Sequence, residues 1–258
     1  NSKPHAKPHK ARKRFGQNFL EDASVIDRIV HSIGPCDGDH LVEIGPGQAA
    51  LTAPMAAAIS DNTTLELLEL DRDFASRLSF KFATRENINV QQVDALDFNF
   101  IALGEQINQQ SDPPSNKPLR VFGNLPYNIS TPLIFHLLEQ AHNLKAETKP
   151  SPLSPPVISD MHFMLQREVV DRMAAPPGNK TYGRLSIMTQ YYCQVEPLFD
   201  VPPEAFDPKP KVMSAIVRLL PYKNLPIVAN QPAMLDKIVK AAFTQRRKTL
   251  RNGLKHYI

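Results

Sequence analysis

Short apolar segments with the pattern of β-strands alternate with segments of helical periodicity along most of this chain. Buried strands are predicted over residues 40–44, 64–70, 88–93, 119–123 and 161–166, and a final strand pair over 191–201 and 212–220. Helical spacing precedes the first strand and follows the first, second and fourth. Because strands separated by helices join in parallel, this alternation predicts an α/β fold with a largely parallel sheet covered on both faces.

Proline-rich stretches interrupt the alternation at residues 108–118 and 145–156. Proline is excluded from helix interiors and from central strands, so both stretches are predicted to be exposed loops. A last helical pattern follows over residues 234–243 and leads into a basic run. These features predict a main domain over residues 1–221 and a small helical domain over 222–258.

Basic residues are concentrated at the two ends of the chain. Residues 1–20 contain six Lys or Arg and no acid, and residues 237–258 contain seven and no acid. This basic leader (1–14) and the basic run at the other end favour a nucleic acid that is gripped from both sides, although solvated tails would have the same composition. The candidate phosphate contacts are Arg12, Lys13, Arg14, Arg246, Arg247, Lys248 and Arg251.

No stretch of the chain has the length and apolar content of a membrane span, and the chain shows no cleavable signal segment. The two cysteines, Cys36 and Cys193, lie far apart and lack the spacing of metal ligands. We therefore expect a monomeric cytoplasmic protein with reduced thiols, no metal site and no membrane partner.

A glycine pair follows the first predicted strand, in Gly45-Pro46-Gly47. Glycines at this position let the backbone turn sharply and approach a ligand closely. Glu69 ends the second strand pattern, where an acid can accept ribose hydroxyls, and Asp94 ends the third, where it can accept from an adenine amine. Because parallel strands end at one edge of a sheet, these groups predict an adenosine-containing ligand, which either a dehydrogenase or a methyltransferase would bind.

The loop after the fourth strand pattern contains Asn124-Leu125-Pro126-Tyr127, which resembles the loop of N6-adenine methyltransferases. The lone pair of adenine N6 is delocalised into the ring, so N6 is a poor nucleophile. An Asn side-chain oxygen and a backbone carbonyl that accept from the amine would localise that lone pair. Pro126 stiffens the loop because its φ is fixed, and Tyr127 offers a ring on which an extruded base can stack, worth about 1–3 kcal/mol.

Further motifs extend this likeness over residues 9–254. Together they make the chain similar to the ribosomal RNA adenine dimethyltransferase family. Within that family, residues 182–186 and 206–212 resemble the members that dimethylate two adjacent adenines near the 3′ end of small-subunit (16S) rRNA. The motifs that carry the resemblance are residues 12–20, 43–47, 69–71, 124–130, 164–170, 182–186 and 202–212.

The resemblance implies a Rossmann-like class I methyltransferase sheet of seven strands, the last one antiparallel, with S-adenosylmethionine as cofactor. It also implies that the substrate is rRNA in an assembling 30S particle. Family members usually continue beyond the end of this chain with further helices, so the small RNA-binding domain is expected to be incomplete. Asn124 would lie between the cofactor and the target N6, and Tyr127 and Phe206 would sandwich the target base. The catalytic residues implied are Asn124, Pro126, Tyr127 and Phe206, and the cofactor contacts implied are Gln17, Asn18, Leu20, Gly45, Gly47, Glu69, Asp94 and Asn124.

Three other interpretations stay open at this point. The same motifs serve enzymes that methylate one adenine of large-subunit rRNA and confer macrolide resistance. The chain could also act mainly as a binding factor in ribosome assembly, because basic ends serve both roles. A nicotinamide dehydrogenase would explain the glycine loop, but it would explain neither residues 124–127 nor the basic ends.

Overall fold

The computed structural model describes residues 18–110, 116–142, 156–244 and 249–255. Two short strands, β1 (Phe19–Leu20) and β8 (Phe206–Asp207), pair with each other, and seven longer strands form one sheet. The strands of the large sheet are β2 (His40–Ile44), β3 (Thr64–Glu69), β4 (Ile88–Gln92), β5 (Leu119–Asn124), β6 (Ile158–Gln166), β7 (Cys193–Val201) and β9 (Ser214–Pro221). The helices are α1 (Ala23–Ile33), α2 (Thr52–Ala58), α3 (Arg72–Lys81), α4 (Phe100–Gln110), α5 (Ser130–Ala141), α6 (Arg167–Ala174), α7 (Arg184–Tyr192), α8 (Pro232–Thr244) and α9 (Leu250–Gly253).

The large sheet has the strand order β4-β3-β2-β5-β6-β9-β7. The pairs from β4 to β6 are parallel, whereas β9 runs antiparallel to both β6 and β7. The predicted α/β fold, with seven strands and an antiparallel last strand, is confirmed. The chain first moves from β2 outwards to β4 and then returns to β5 on the other side of β2. The carboxyl ends of β2 and its neighbours therefore meet at the crevice where such sheets bind ligands.

Both faces of the central strands are covered by helices. On β2, Leu41 belongs to a core cluster shared with α1, α2 and α3, while Val42 and Ile44 belong to a second cluster shared with α4, α5 and α7. All residues of β2 are buried, including its two polar residues, His40 and Glu43.

Helix α4 corrects the prediction of a loop over residues 108–118. The helix buries Phe100, Leu103 and Ile107 at helical spacing and continues to Gln110. Residues 108–110 are therefore helical, because the apolar stripe that begins at Phe100 carries the helix into the polar residues. The other predicted loop, 145–156, lies outside the described residues except for its last residue.

Helices α6 and α7 were missed by the sequence pattern, and several predicted strand boundaries differ, most of all at the start of β6, which is Ile158 rather than residue 161. Helix α7 ends at Tyr192, so the strand predicted from residue 191 begins at Cys193. Its consecutive tyrosines favour a strand locally, but Tyr192 is buried at helical spacing from Leu185 and Met188. The last strand begins at Ser214 rather than at residue 212. Tertiary packing thus overrides local propensity at these boundaries.

Arg120 joins the amino-terminal edge of the sheet to the end of α1. Its Nε donates to Asp160 Oδ2 (2.8 Å), and its Nη1 donates to Asp39 Oδ2 (2.5 Å). Nη1 and Nη2 also donate to the carbonyls of Gly34 (3.1 Å) and Ile33 (2.5 Å). Each guanidinium nitrogen therefore has a protein acceptor, and one cation is shared by two largely buried carboxylates.

Helix α8 packs against α7 and contains the helical segment predicted over residues 234–243. Arg184 Nη2 on α7 donates to Asp236 Oδ1 on α8 at 2.7 Å, and Val239 joins the core cluster that contains Met188. The domain boundary at residue 221 stays a prediction. None of the helices in the described ranges combines the length and the apolar character that a membrane crossing needs.

Candidate active site

A pocket lies at the carboxyl ends of β2, β3, β4 and β5. The parallel arrangement of these strands brings their final residues to one edge, as the sequence predicted. Gln17 lies outside the described residues, but every other residue predicted for catalysis or for the cofactor lines this pocket. They are Asn18, Leu20, Gly45, Gly47, Glu69, Asp94, Asn124, Pro126, Tyr127 and Phe206.

The segment that begins at Asn18 reaches the pocket because it is joined to the segment that contains Phe206. Strand β1 pairs antiparallel with β8, and Leu20 lies opposite Phe206 in this pair. The Glu21 N–H donates to the Ala205 carbonyl at 2.8 Å. Leu20 and Phe206 are both buried. Residues from distant parts of the chain thus form one wall of the pocket.

The glycine loop after β2 is held in place by Glu69. Gly45 and Gly47 have positive φ values of 67° and 53°, a conformation that costs little only for glycine. Glu69 Oε2 accepts from the Gly47 N–H (2.9 Å), and Oε1 accepts from the Asp71 N–H (2.8 Å). Burial raises the pKa of Glu69, and the backbone donors at Asp71 and Gly47 oppose that rise. This carboxylate therefore orders the loop as well as lining the pocket.

Asp94 lies in the turn after β4. Its Oδ1 accepts from the Leu96 N–H at 2.9 Å, which holds the carboxylate in place. The neighbouring Val93 N–H donates to the Glu69 carbonyl at 3.1 Å, so the ends of β3 and β4 are joined beside the pocket. The acids at two successive strand ends consequently line the same pocket, and their part in ligand binding stays a prediction.

Glu43, the first residue of the motif 43–47, also lines the pocket, although it was not among the predicted site residues. It is 2% exposed, and its Oε2 has no hydrogen-bond partner among the described residues. Burial raises the pKa of Glu43 to about 8; Thr52 opposes this rise and the charge of Glu69 adds to it. An acid inside an otherwise apolar strand next to the glycine loop was the signal that could have identified it. An unpaired buried carboxyl oxygen in a pocket is suited to a cationic or hydrogen-bond-donating ligand.

Asn124 ends β5 with its side-chain amide in a defined orientation. Its Nδ2 donates to the Asn18 carbonyl at 3.3 Å. Because a carbonyl can only accept, this contact decides which side of the amide faces Asn18, and it leaves Oδ1 as the acceptor for a ligand in the pocket. The loop that follows is fixed to β6, since the Leu125 N–H donates to the Met164 carbonyl at 3.3 Å.

Two aromatic side chains, Tyr127 and Phe206, line the same pocket as Asn124. The Tyr127 hydroxyl lies 2.6 Å from Ser214 Oγ. Burial raises the pKa of the Tyr127 hydroxyl, and the bond to Ser214 opposes this rise. Ser214 was not predicted for the site, since a serine at the start of a strand gives no sequence signal of its own.

The basic residues predicted to contact phosphates lie mostly outside the described ranges. Of these residues, only Arg251 is described, on the exposed surface of α9. It does not line the pocket. The residues that are not described are Arg12, Lys13, Arg14, Arg246, Arg247 and Lys248.

Comparisons with known proteins agree on one family. The sequence model of the family described as "Ribosomal RNA adenine dimethylase" matches residues 8–258. A protein of Saccharophagus degradans called "Ribosomal RNA small subunit methyltransferase A" is 55% identical over 96% of this chain and 83% of its own length. A Pseudomonas putida protein of the same name is 53% identical over 96% and 83%.

Solved structures share the fold. A dimethyladenosine transferase from Plasmodium falciparum has a TM-score of 0.67 and 25% identity, and the match covers 92% of this chain and 74% of that one. The 23S rRNA methyltransferase ErmE has a TM-score of 0.66 and 24% identity over 93% of this chain and 84% of that one, which is a likeness of fold alone. With the family match over nearly the whole chain, and with an N6-methyltransferase-like loop at the edge of the pocket, this chain belongs to the ribosomal RNA adenine dimethylase family.

Proposed function

We propose that this chain transfers methyl groups from S-adenosylmethionine to N6 of two adjacent adenines near the 3′ end of small-subunit rRNA, which become N6,N6-dimethyladenine. The observation that carries the proposal is the Asn124 amide, oriented by the Asn18 carbonyl in a pocket that also contains Glu43, Glu69 and Asp94. Membership of the ribosomal RNA adenine dimethylase family removes the alternative of a nicotinamide dehydrogenase.

The polar groups of the pocket fit S-adenosylmethionine. This cofactor carries an ammonium group, a ribose diol and an adenine amine, and it supplies an activated methyl group on a cationic sulfur. Glu43 has a buried carboxyl oxygen without a partner, which suits the ammonium group. We assign the ribose hydroxyls to Glu69 and the adenine amine to Asp94, by their place at successive strand ends. Asn18, Leu20 and Gln17 are assigned to the methionine portion by family resemblance.

Asn124 and its loop act on the target amine. We assign to Asn124 Oδ1 and a backbone carbonyl of the loop the role of accepting the N6 hydrogens, two before the first transfer and one before the second, which localises the lone pair on N6. Pro126 keeps the loop rigid, because its φ is fixed. N6 is neutral when it attacks, so no residue has to remove a proton beforehand, and one proton leaves N6 after each transfer. Positioning of N6 against the methyl group is then the main catalytic contribution of the protein.

Tyr127 and Phe206 are assigned to the two faces of the extruded adenine. Both rings line the pocket that also contains Asn124. An extruded base loses its stacking partners, and aromatic side chains replace them at about 1–3 kcal/mol per base. The pocket can therefore hold a flipped base beside the amide that acts on its amine.

The small ribosomal subunit is the proposed substrate particle. Relatives that are 53–55% identical over 96% of this chain are called small subunit methyltransferases. We further propose that the enzyme is monomeric and cytoplasmic and that it acts on an assembling 30S particle. In this proposal, residues 1–221 carry the catalytic site and 222–258 contribute to RNA binding.

Methylation of isolated subunits tests this function. Small and large ribosomal subunits that lack dimethyladenine are incubated separately with the protein and labelled S-adenosylmethionine, and nuclease fragments are then analysed by mass spectrometry. We expect label as N6,N6-dimethyladenine in a fragment from the 3′ end of small-subunit rRNA. Label that appears only in large-subunit rRNA would contradict the proposal in favour of the macrolide-resistance type of activity.

A further inference from the structure

We propose that Ser214 is a positioning residue for methyl transfer: it holds the ring of Tyr127 at the angle and depth at which the target adenine stacks. This inference rests on the proposed function, in which Tyr127 contacts the extruded base. Neither the sequence motifs nor the family match assigns a role to Ser214.

Ser214 is a rigid anchor. It has no exposed surface, and it is the first residue of β9. It pairs with Gln166 of β6 on one side and with Val201 of β7 on the other, so its backbone is fixed within the sheet. The 2.6 Å contact between its Oγ and the Tyr127 hydroxyl therefore ties the end of an aromatic side chain to a strand that cannot shift without disturbing its neighbours.

Tyr127, in contrast, lies in the loop between β5 and α5. The hydrogen bonds that hold this loop involve its main chain: the Ile129 N–H donates to the Pro126 carbonyl at 3.2 Å, and Ser130 Oγ donates to the Tyr127 carbonyl at 3.2 Å. These contacts shape the loop but leave the two side-chain torsions of the tyrosine to be decided by its surroundings. The hydroxyl bond to Ser214 fixes the far end of the ring.

The second aromatic ring, that of Phe206, lies on the segment of chain that leads to Ser214. Residues 206–214 begin with Phe206, which is held by the pairing of β8 with β1, and end with Ser214. Phe206 and the anchor of Tyr127 are thus eight residues apart on one stretch of chain. This segment therefore fixes the distance between the two rings before the base binds between them.

A role in positioning predicts a specific kinetic pattern. RNA affinity depends mostly on phosphate contacts away from the ring, whereas a misplaced ring alters the approach of N6 to the methyl group. We expect Ser214→Ala to lower kcat about tenfold, with KM for the small subunit and Kd for S-adenosylmethionine changed by less than about twofold. Ser214→Thr, which retains the hydroxyl, restores most of kcat.

Tyr127→Phe and the double variant Ser214→Ala/Tyr127→Phe complete the test. The phenylalanine keeps the ring and loses the hydrogen bond, so it should lower kcat by a similar factor, and the double variant should be no slower than either single variant. Effects that multiply in the double variant would overturn the proposal, as would a loss confined to KM or to cofactor binding. If Ser214→Ala does not fold, Tyr127→Phe alone tests the proposal, because an unchanged kcat in Tyr127→Phe would overturn it.

A spectroscopic arm separates this inference from the proposed function. In protein labelled with ¹³Cζ-tyrosine, the Tyr127 resonance is assigned by its absence in Tyr127→Phe. We expect it to move in Ser214→Ala and to return towards its original position in Ser214→Thr, whether or not rRNA is methylated. Wild-type protein that methylates no rRNA adenine refutes the proposed function, whereas an unmoved resonance refutes the anchoring by Ser214.

Discussion

Arg120 and Asn124 lie on the same strand, β5, and their polar groups are used in opposite ways. Arg120, near the amino end, donates from all three guanidinium nitrogens to acceptors of its own chain. Asn124, at the carboxyl end, is held by one contact from Nδ2, and its Oδ1 is left for a ligand. Polar groups that are satisfied within the chain stabilise the fold, whereas polar groups left unsatisfied in a pocket are available for binding and catalysis.

The adjacent strand β2 repeats this contrast with acids. Asp39 precedes the strand, and its Oδ2 accepts from Arg120 Nη1 and from the Cys36 N–H. Glu43, inside the strand and towards its carboxyl end, is buried with one carboxyl oxygen that lacks a partner among the described residues. A buried acid with a cationic partner is stable, while a buried acid without one is destabilising until a ligand supplies the partner. We therefore expect variants at the amino ends of these strands to affect stability and variants at their carboxyl ends to affect binding and catalysis.

The largest effect is expected at Asn124. Asn124→Ala should lower methyl transfer at least a thousandfold, equivalent to about 4 kcal/mol of transition-state stabilisation, because N6 loses the acceptor that localises its lone pair. The free energy of unfolding of this variant should differ from that of the wild type by less than about 1 kcal/mol. Single-turnover methylation and urea denaturation measure the two quantities, with Asn62→Ala on an exposed turn as the matched control.

Binding to the substrate particle is the second readout for the same variant. Asn124→Ala should still bind immature small subunits in a sedimentation assay, since the expected phosphate contacts lie elsewhere. Methyl transfer that persists in this variant would refute the role of Asn124. A variant that neither binds nor transfers would show that the amide is needed for more than chemistry.

Arg120→Met tests the amino ends of the central strands. This change leaves Asp39 and Asp160 largely buried without their cation, so we expect a loss of about 3 kcal/mol in the free energy of unfolding, measured by urea denaturation. The affinity of the folded variant for S-adenosylmethionine should be unchanged. Adding Asp39→Asn and Asp160→Asn should recover part of the stability, and an altered cofactor affinity would show that the two ends of these strands are coupled.

Glu43 is expected to make stability depend on pH. Its pKa is about 8 in the folded protein and 4.5 in the reference state, so the folded state holds the proton more tightly. Below pH 4.5, Glu43 is protonated in both states and its ionisation does not affect the free energy of unfolding. As the pH rises from 4.5 towards 8, Glu43 lowers the free energy of unfolding by an increasing amount, and above pH 8 this amount is constant. Between pH 6 and pH 8.5 the wild type should lose about 2 kcal/mol relative to Glu43→Gln, measured by denaturation without cofactor.

The cofactor should reverse the sign of the Glu43 effect. If Glu43 binds an ammonium group as a carboxylate, the affinity of the wild type for S-adenosylmethionine rises with pH up to about 8, and that of Glu43→Gln does not. Isothermal titration calorimetry at several pH values measures both. The same dependence of affinity on pH in both proteins would show that Glu43 does not bind the cofactor.

The smallest effect concerns Arg251, on the exposed surface of α9. If it contacts a phosphate, Arg251→Gln should reduce the slope of log Kd against log salt concentration by about 0.7–0.9 for binding to the small subunit. Arg77→Gln, on the exposed side of α3, serves as the matched control and should leave the slope unchanged. An unchanged slope for Arg251→Gln as well would mean that this residue is only solvated.

Much of the site could be predicted from the sequence because it depends on local patterns. Apolar runs predict strands, glycine pairs predict turns, and acids that end consecutive parallel strands must share an edge. On this basis the positions of Gly45, Glu69, Asp94 and Asn124 around one pocket were expected before the fold was known. Helices α4, α6 and α7, which the sequence pattern missed, lie where short or partly polar segments obscure the periodicity, and their apolar residues become recognisable only once they pack on the sheet. The short helix α9, in the basic run, was missed as well.

The sequence by itself determined the α/β architecture and the residue types that meet at the sheet edge, because strand and turn preferences act between near neighbours. The tertiary structure alone decided how those residues are oriented. Asn124 takes its direction from Asn18, 106 residues away in the chain, and Tyr127 is anchored by Ser214, 87 residues away. Hydrogen bonds depend on distances of a few tenths of an ångström between atoms, and such distances follow from packing rather than from any local pattern.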